Sequence, residues 1–232
     1  MRQIPLAIGP APLYTFEGFV PGANAAAVAH LGALSVALPS RSATAAAPTY
    51  LWGPHGSGKT HLLRALAEAL QTGGQRAGWF DPTCAVPWTF DESWSVLLLD
   101  ACEAFDMGQQ QAAFALFIEA TTHNLTVVAS GTVPPVDLAL RDDLRTRLGW
   151  GHVFALEPLA EHDARAALRR EADRRGIFLS DEVMDYLLTR FSRDLHHLMS
   201  LLDRLDEFAL SQGRAVTVPL LKRMFEQEGA TL

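Results

Sequence analysis

The chain has 232 residues, 49% of them hydrophobic, and a formal net charge of −7. This length allows one large or two small domains with a real core, and the acidic balance argues against nonspecific nucleic-acid binding over the whole surface. Two cysteines, Cys84 and Cys102, make neither a disulfide framework nor a zinc site and read as small buried thiols. No apolar run reaches the roughly 18 residues of a membrane span and no leader pattern opens the chain, which points to a cytoplasmic protein.

Prolines at 5, 10 and 12 forbid a helix over residues 1–13 and disfavour a central strand. The run from Gln3 to Ile8 is read as an extended peptide with apolar anchors. An Ala-rich helix is predicted over residues 24–37, with Asn24 as its N-cap and Pro39 as its stop. A small-residue loop over 40–47 leads to a strand at 49–52.

The next stretch carries the strongest signal. Gly53, Gly58, Lys59 and Thr60 satisfy G-x-x-x-x-G-K-[ST], the phosphate-binding loop, between an apolar strand and an apolar helix. Glycines let backbone N–H groups converge on phosphate oxygens, and the new helix points its positive end at the same place. Lys59 is expected to reach the β- and γ-phosphates, and the Thr60 hydroxyl to ligate Mg²⁺. The helix is predicted to about residue 69, with Thr72-Gly73-Gly74 as its stop.

A second strand is predicted at 77–80, then a surface connection over 81–92. Trp94 to Leu99 reads as a buried strand ending in Asp100, about 40 residues after Lys59. A carboxylate there is the Walker B arrangement, which holds Mg²⁺, usually through water. A helix follows over 108–123, a buried strand over 125–130 ending in Ser130, a helix ending at Gly149 and a short strand over 153–156. Alternating strands and helices imply an α/β domain with a parallel sheet, and ligands then bind at the carboxyl ends of its strands.

After Pro158 the period changes to 3.6. Helices are predicted over 160–175, 180–191, 194–212 and 218–228, a separate all-α unit. Its arginines alternate with acidic residues and read as a solvated face laced by i,i+4 pairs.

An α/β phosphate-loop domain followed by a small helical lid resembles an AAA+ module. Tyr14-Thr15-Phe16 with Phe19-Val20-x-Gly22, then Gly56-Ser57-Gly58-Lys59-Thr60-His61-Leu62-Leu63, resembles the bacterial replication initiator DnaA. So does Arg147-Leu148-Gly149-Trp150-Gly151 with Glu157-Pro158. The sequence ends at Leu232, after the lid, without the initiator's C-terminal helix-turn-helix. That form is similar to the Hda-type regulatory inactivators of the initiator, whose N-terminal peptide docks on the polymerase sliding clamp. Gln3, Leu6 and Ile8 match that peptide's Gln, central Leu and final apolar position, while Ala7 and Ile4 depart from it.

The resemblance implies three parts: a clamp-binding peptide (1–13), an AAA+ nucleotide-binding domain (14–158) and a helical lid (159–232). It implies that Gly53, Gly56, Ser57, Gly58, Lys59, Thr60 and His61 bind ADP or ATP, and that Thr60 and Asp100 hold Mg²⁺. Ser130 takes the sensor 1 position and Arg193 the sensor 2 position, both on the nucleotide phosphates. Arg147 matches an arginine that reaches into a neighbouring subunit's nucleotide site. Ala101 stands where AAA+ ATPases commonly carry an acidic residue, which lowers the hydrolysis expected in this chain's own site; Glu103 lies on a different bearing. The implied function is a clamp-tethered regulator that stimulates hydrolysis of initiator-bound ATP and prevents re-initiation. The implied partners are the DnaA-type initiator and the DNA polymerase sliding clamp, with DNA met through the clamp, no membrane, and a homodimer as an option. The alternatives are an AAA+ ATPase motor of the helicase or clamp-loader type, or a DNA-binding scaffold.

Overall fold

The computed structural model describes residues 14–38, 47–190, 195–212 and 214–227. Gln3, Leu6, Ile8 and Arg193 lie outside these residues. Five strands, β1 (Thr49–Trp52), β2 (Arg76–Phe80), β3 (Trp94–Leu99), β4 (Thr126–Gly131) and β5 (His152–Ala155), form one sheet in the order β2-β3-β4-β1-β5. All four pairings are parallel.

Alternate side chains of this sheet feed two cores. Tyr50, Leu97, Leu99, Val127 and Ala129 pack under α3 (Met107–Thr122) and α4 (Asp142–Leu148). Leu51, Val96, Leu98 and Val128 pack under α1 (Ala25–Ala37) and α2 (Lys59–Thr72). With both faces covered, a strand such as β3 is wholly buried and apolar except at Ser95. The helices seal the faces with i, i+3, i+4 rows, such as Leu62, Leu66 and Leu70 of α2. Each buried Leu contributes about 1.5–3 kcal/mol.

Local chemistry sets several boundaries. Asp106 caps α3 through a capping box: its side chain accepts from the Gln109 N–H at 2.8 Å, and Gln109 accepts from the Asp106 N–H at 3.1 Å. Asn24 is not the side-chain cap expected for α1. Its amide instead donates to the Glu157 carbonyl and accepts from the Glu157 N–H, both at 2.9 Å. Both amide functions are spent on the backbone of one distant residue, pinning the start of α1 to the chain just beyond the sheet. Cys102 is buried as expected, whereas Cys84 is only half-buried, in the loop after β2.

The four C-terminal helices, α5 (Glu161–Arg174), α6 (Asp181–Arg190), α7 (Leu195–Gln212) and α8 (Val218–Gln227), enclose a separate core. Ala164, Leu168, Met184, Leu187, Leu198, Leu202, Leu221 and Phe225 meet there. The arginine face of α5 differs from the within-helix lacing expected. Arg165 pairs with Asp185 and Arg169 with Asp181, both on α6, and Arg175 pairs with Asp203 on α7. Within the helix, Glu171 takes the i+3 and i+4 arginines, Arg174 and Arg175. No described helix is long and apolar enough to cross a membrane.

Candidate functional site

The sheet order brings three strand ends together. The carboxyl end of β1 lies beside β4, and β4 beside β3, so the 53–60 loop, Ser130 and Asp100 become neighbours. The Gly53 N–H donates to the Gly131 carbonyl at 3.3 Å, fixing where the chain leaves β1. The loop then turns through Pro54–Ser57 and enters α2 at Lys59. Gly58, at φ +91°, is the N-cap of that helix. A side chain there would be strained, and its Cβ would lie 2.4 Å from the Phe19 ring. Phe19 is thus seated directly on the loop.

Lys59 is buried, and its ammonium donates to the Gly53 carbonyl at 2.7 Å and the Pro54 carbonyl at 2.9 Å. Ser57 is buried beside it, its Oγ 3.5 Å from Nζ. Burial lowers the Lys59 pKa; the Glu103 and Asp100 charges oppose that shift. A phosphate placed over the loop would meet the same donors.

Asp100 is 6% exposed and receives two hydroxyls. Thr60 Oγ1 donates to Oδ2 at 2.8 Å, and Ser130 Oγ to Oδ1 at 2.5 Å. Ser130, fully buried, also accepts from the Ala101 N–H at 3.0 Å. The Thr60 hydroxyl and the Asp100 carboxylate together offer the two hard oxygens that a Mg²⁺ ion takes from protein, its remaining positions going to water and phosphate. When bound, such an ion would neutralise charge on the β- and γ-phosphate oxygens. Among the described residues no group of three or more His, Cys, Asp or Glu side chains gathers as a metal cage.

Two further residues border the loop and the strand ends. His61 packs its ring against Tyr14 and Phe19, and its Nε2 lies 3.0 Å from the Thr15 carbonyl, so it meets the N-terminal segment. Glu103, placed on a different bearing by spacing alone, is drawn into the site's electrostatics. Ala101 adopts φ +54°, a left-handed turn, and the 3₁₀ turn Cys102–Ala104 carries Glu103 back beside Gly131. Its Oε2 is buried with no hydrogen-bond partner among the described residues. No sequence pattern announces this; it depends on the backbone turn at Ala101.

Arg147 lies elsewhere, in the last turn of α4, half-exposed. Asp142 and Asp143 open this helix and Arg145 and Arg147 close it, which complements its dipole. Arg141 is bidentate to Asp143, and Arg145 pairs with Asp142 at 2.6 Å. Arg147 makes no ion pair or hydrogen bond among the described residues and contacts aromatic rings instead.

Comparison with known proteins agrees with this architecture. A family model for the Hda lid domain matches residues 161–225, and one for the bacterial DnaA ATPase domain matches residues 11–77. Domain III of the Thermotoga maritima initiator DnaA superposes with a TM-score of 0.73 at 21% identity, over 94% of this chain and 97% of that one. DnaA from Aquifex aeolicus, solved with AMPPCP, gives 0.69 at 20%, over 94% of this chain and 70% of that one. A Thermotoga maritima RuvB mutant gives 0.66 at 15%, over 92% and 72%. At these identities the solved structures speak for the AAA+ fold alone, and the family models speak for lineage at both ends of the chain. The chain belongs to the DnaA-related AAA+ family, and its lid is of the Hda type.

Proposed function

We propose that this protein regulates replication initiation by completing, in trans, the ATP site of a DnaA-type initiator. Arg147 carries the reading. It is half-exposed at a helix end, and its guanidinium is uncommitted among the described residues while Arg141 and Arg145 beside it are paired. A guanidinium is always charged, planar and rich in donors. Placed against a transferred phosphoryl group, such an arginine accelerates hydrolysis by roughly 10³- to 10⁵-fold.

In this reading the chain's own site binds ADP or ATP through Gly53, Gly56, Ser57, Gly58, Lys59 and Thr60. His61, Ser130 and Arg193 complete it, and Thr60 and Asp100 hold Mg²⁺. The AMPPCP bound to the Aquifex initiator supports nucleotide as the ligand class. Ala101 supplies no carboxylate after Asp100, so intrinsic hydrolysis is slow. Gln3, Leu6 and Ile8 tether the molecule to the sliding clamp. Tethering raises the effective concentration near newly made DNA and couples the hydrolysis of initiator-bound ATP to ongoing synthesis. The parts divide at residues 13 and 158.

The test is single-turnover hydrolysis of initiator-bound ATP with DNA-loaded clamp. Arg147→Ala is expected to lose nearly all stimulation while keeping ADP binding; Arg145→Ala is expected to keep both. Normal stimulation by Arg147→Ala would sink the trans-acting mechanism. The second reading, an AAA+ motor, draws on the Thr60–Asp100–Ser130 hydrogen-bond chain. It requires ATP turnover by the isolated chain at several per second.

A further inference from the structure

Rings, not carboxylates, surround Arg147. Its Cζ lies 5.4 Å from the Phe114 ring centroid, 5.9 Å from Phe117 and 5.0 Å from Trp150. Phe114 and Phe117 come from α3, one turn apart, and Trp150 from the bend that follows α4. Trp150 is 64% exposed, an unusual place for the largest apolar side chain.

The chemistry of the partners decides what this arrangement does. A carboxylate would hold the guanidinium firmly, but it would neutralise the charge and occupy N–H donors, as Asp143 does to Arg141. An aromatic face attracts a cation through its quadrupole and takes no donor. A ring cradle therefore restricts where the cation sits and leaves all five donors for another acceptor. It also lowers the side-chain entropy lost when that acceptor arrives, since the rotamers of a free arginine no longer need to be frozen.

We infer that Trp150, with Phe114 and Phe117 behind it, is a positioning residue that pre-orients Arg147 for the phosphate oxygens of a neighbouring subunit's nucleotide. This rests on the trans-acting reading of Arg147 and adds to it a specific requirement for a π face at position 150.

The experiment measures stimulated hydrolysis of initiator-bound ATP against concentration of the full-length protein, separating maximal rate from half-maximal concentration. Trp150→Leu, which keeps an apolar side chain without the ring, is expected to lower the maximal rate roughly 3- to 30-fold, the range a cation–π contact spans. Its half-maximal concentration should stay unchanged. Trp150→Phe should restore the rate to within about threefold, because a ring face returns. Phe114→Leu should behave like Trp150→Leu, which guards against a local folding defect in either variant alone. A parental maximal rate for both leucine variants overturns the cradle. So does a change confined to half-maximal concentration, which would make Trp150 a contact to the initiator. Loss with Arg147→Ala but not with the leucine variants removes the cradle and leaves the arginine's role standing. Full activity of Arg147→Ala removes both.

Discussion

Asp100 and Lys59 show how a strand end and a helix start are tied into one site. The Asp100 carboxylate is held by the hydroxyls of Thr60 and Ser130. Lys59, next to Thr60, sends its ammonium back onto the loop carbonyls of Gly53 and Pro54. The cation is buried, which raises the cost of its charge, and two nearby carboxylates lower that cost. A ligand phosphate would add a stronger, charge-assisted acceptor for the same group. Saturating ADP is therefore expected to raise the melting temperature of the parent, equivalent to about 2.7 kcal/mol at a hundredfold excess over Kd. Lys59→Ala should lose most of that shift. The same ADP-induced shift in variant and parent would exclude Lys59 as the phosphate anchor.

At the scale of elements, helix α5 is held to its neighbours by charge as well as by its apolar face. Arg165 and Arg169 reach Asp185 and Asp181 on α6, and Arg175 reaches Asp203 on α7. Glu171 sits among these, accepting from Arg174 at 2.6 and 2.9 Å and from Arg175 at 2.6 Å. The Arg174 hydrogen bonds, with those of Arg175, outweigh partial burial and hold the Glu171 carboxyl down at about 2. Its folded pKa is thus below its ordinary value of 4.5. The stability it contributes is fully present above about pH 4.5 and is lost as pH falls towards 2. Urea unfolding at pH 7 and pH 3 should show a smaller acid loss for Glu171→Gln than for the parent. Equal acid losses in the two proteins would mean that these arginines do not stabilise the folded carboxylate.

Across the whole molecule, the α/β body and the helical bundle each bury their own core. One clamp between distant parts is the double hydrogen bond of Asn24 to the Glu157 backbone, just before the bundle begins. Phe19 on Gly58 and Thr15 against His61 lay the N-terminal segment over the phosphate loop. The proposed tether, residues 1–8, precedes this strap in the sequence. Deleting residues 1–8 should abolish binding to the sliding clamp, read by surface plasmon resonance, and leave the ADP-induced melting shift intact. Clamp affinity that survives the deletion would place the tether elsewhere.

Sequence alone determined the elements and their class. Continuous apolar strands, helical periodicity after Pro158 and the G-x-x-x-x-G-K-T loop are local patterns, and local patterns need no knowledge of neighbours. The strands and helices fall within a few residues of their predicted ends, and the phosphate loop, Asp100 and Ser130 do converge. Tertiary structure alone decided what distant groups do to one another. Asn24 looked like a cap and is a cross-link, because its partner lies 133 positions away. The α5 arginines looked like a self-paired face; Arg174 and Arg175 do pair with Glu171, but Arg165, Arg169 and Arg175 also bind across to α6 and α7. Glu103 enters the site only through the left-handed turn at Ala101. Arg147 meets rings of α3, and no spacing within one segment encodes which faces will meet.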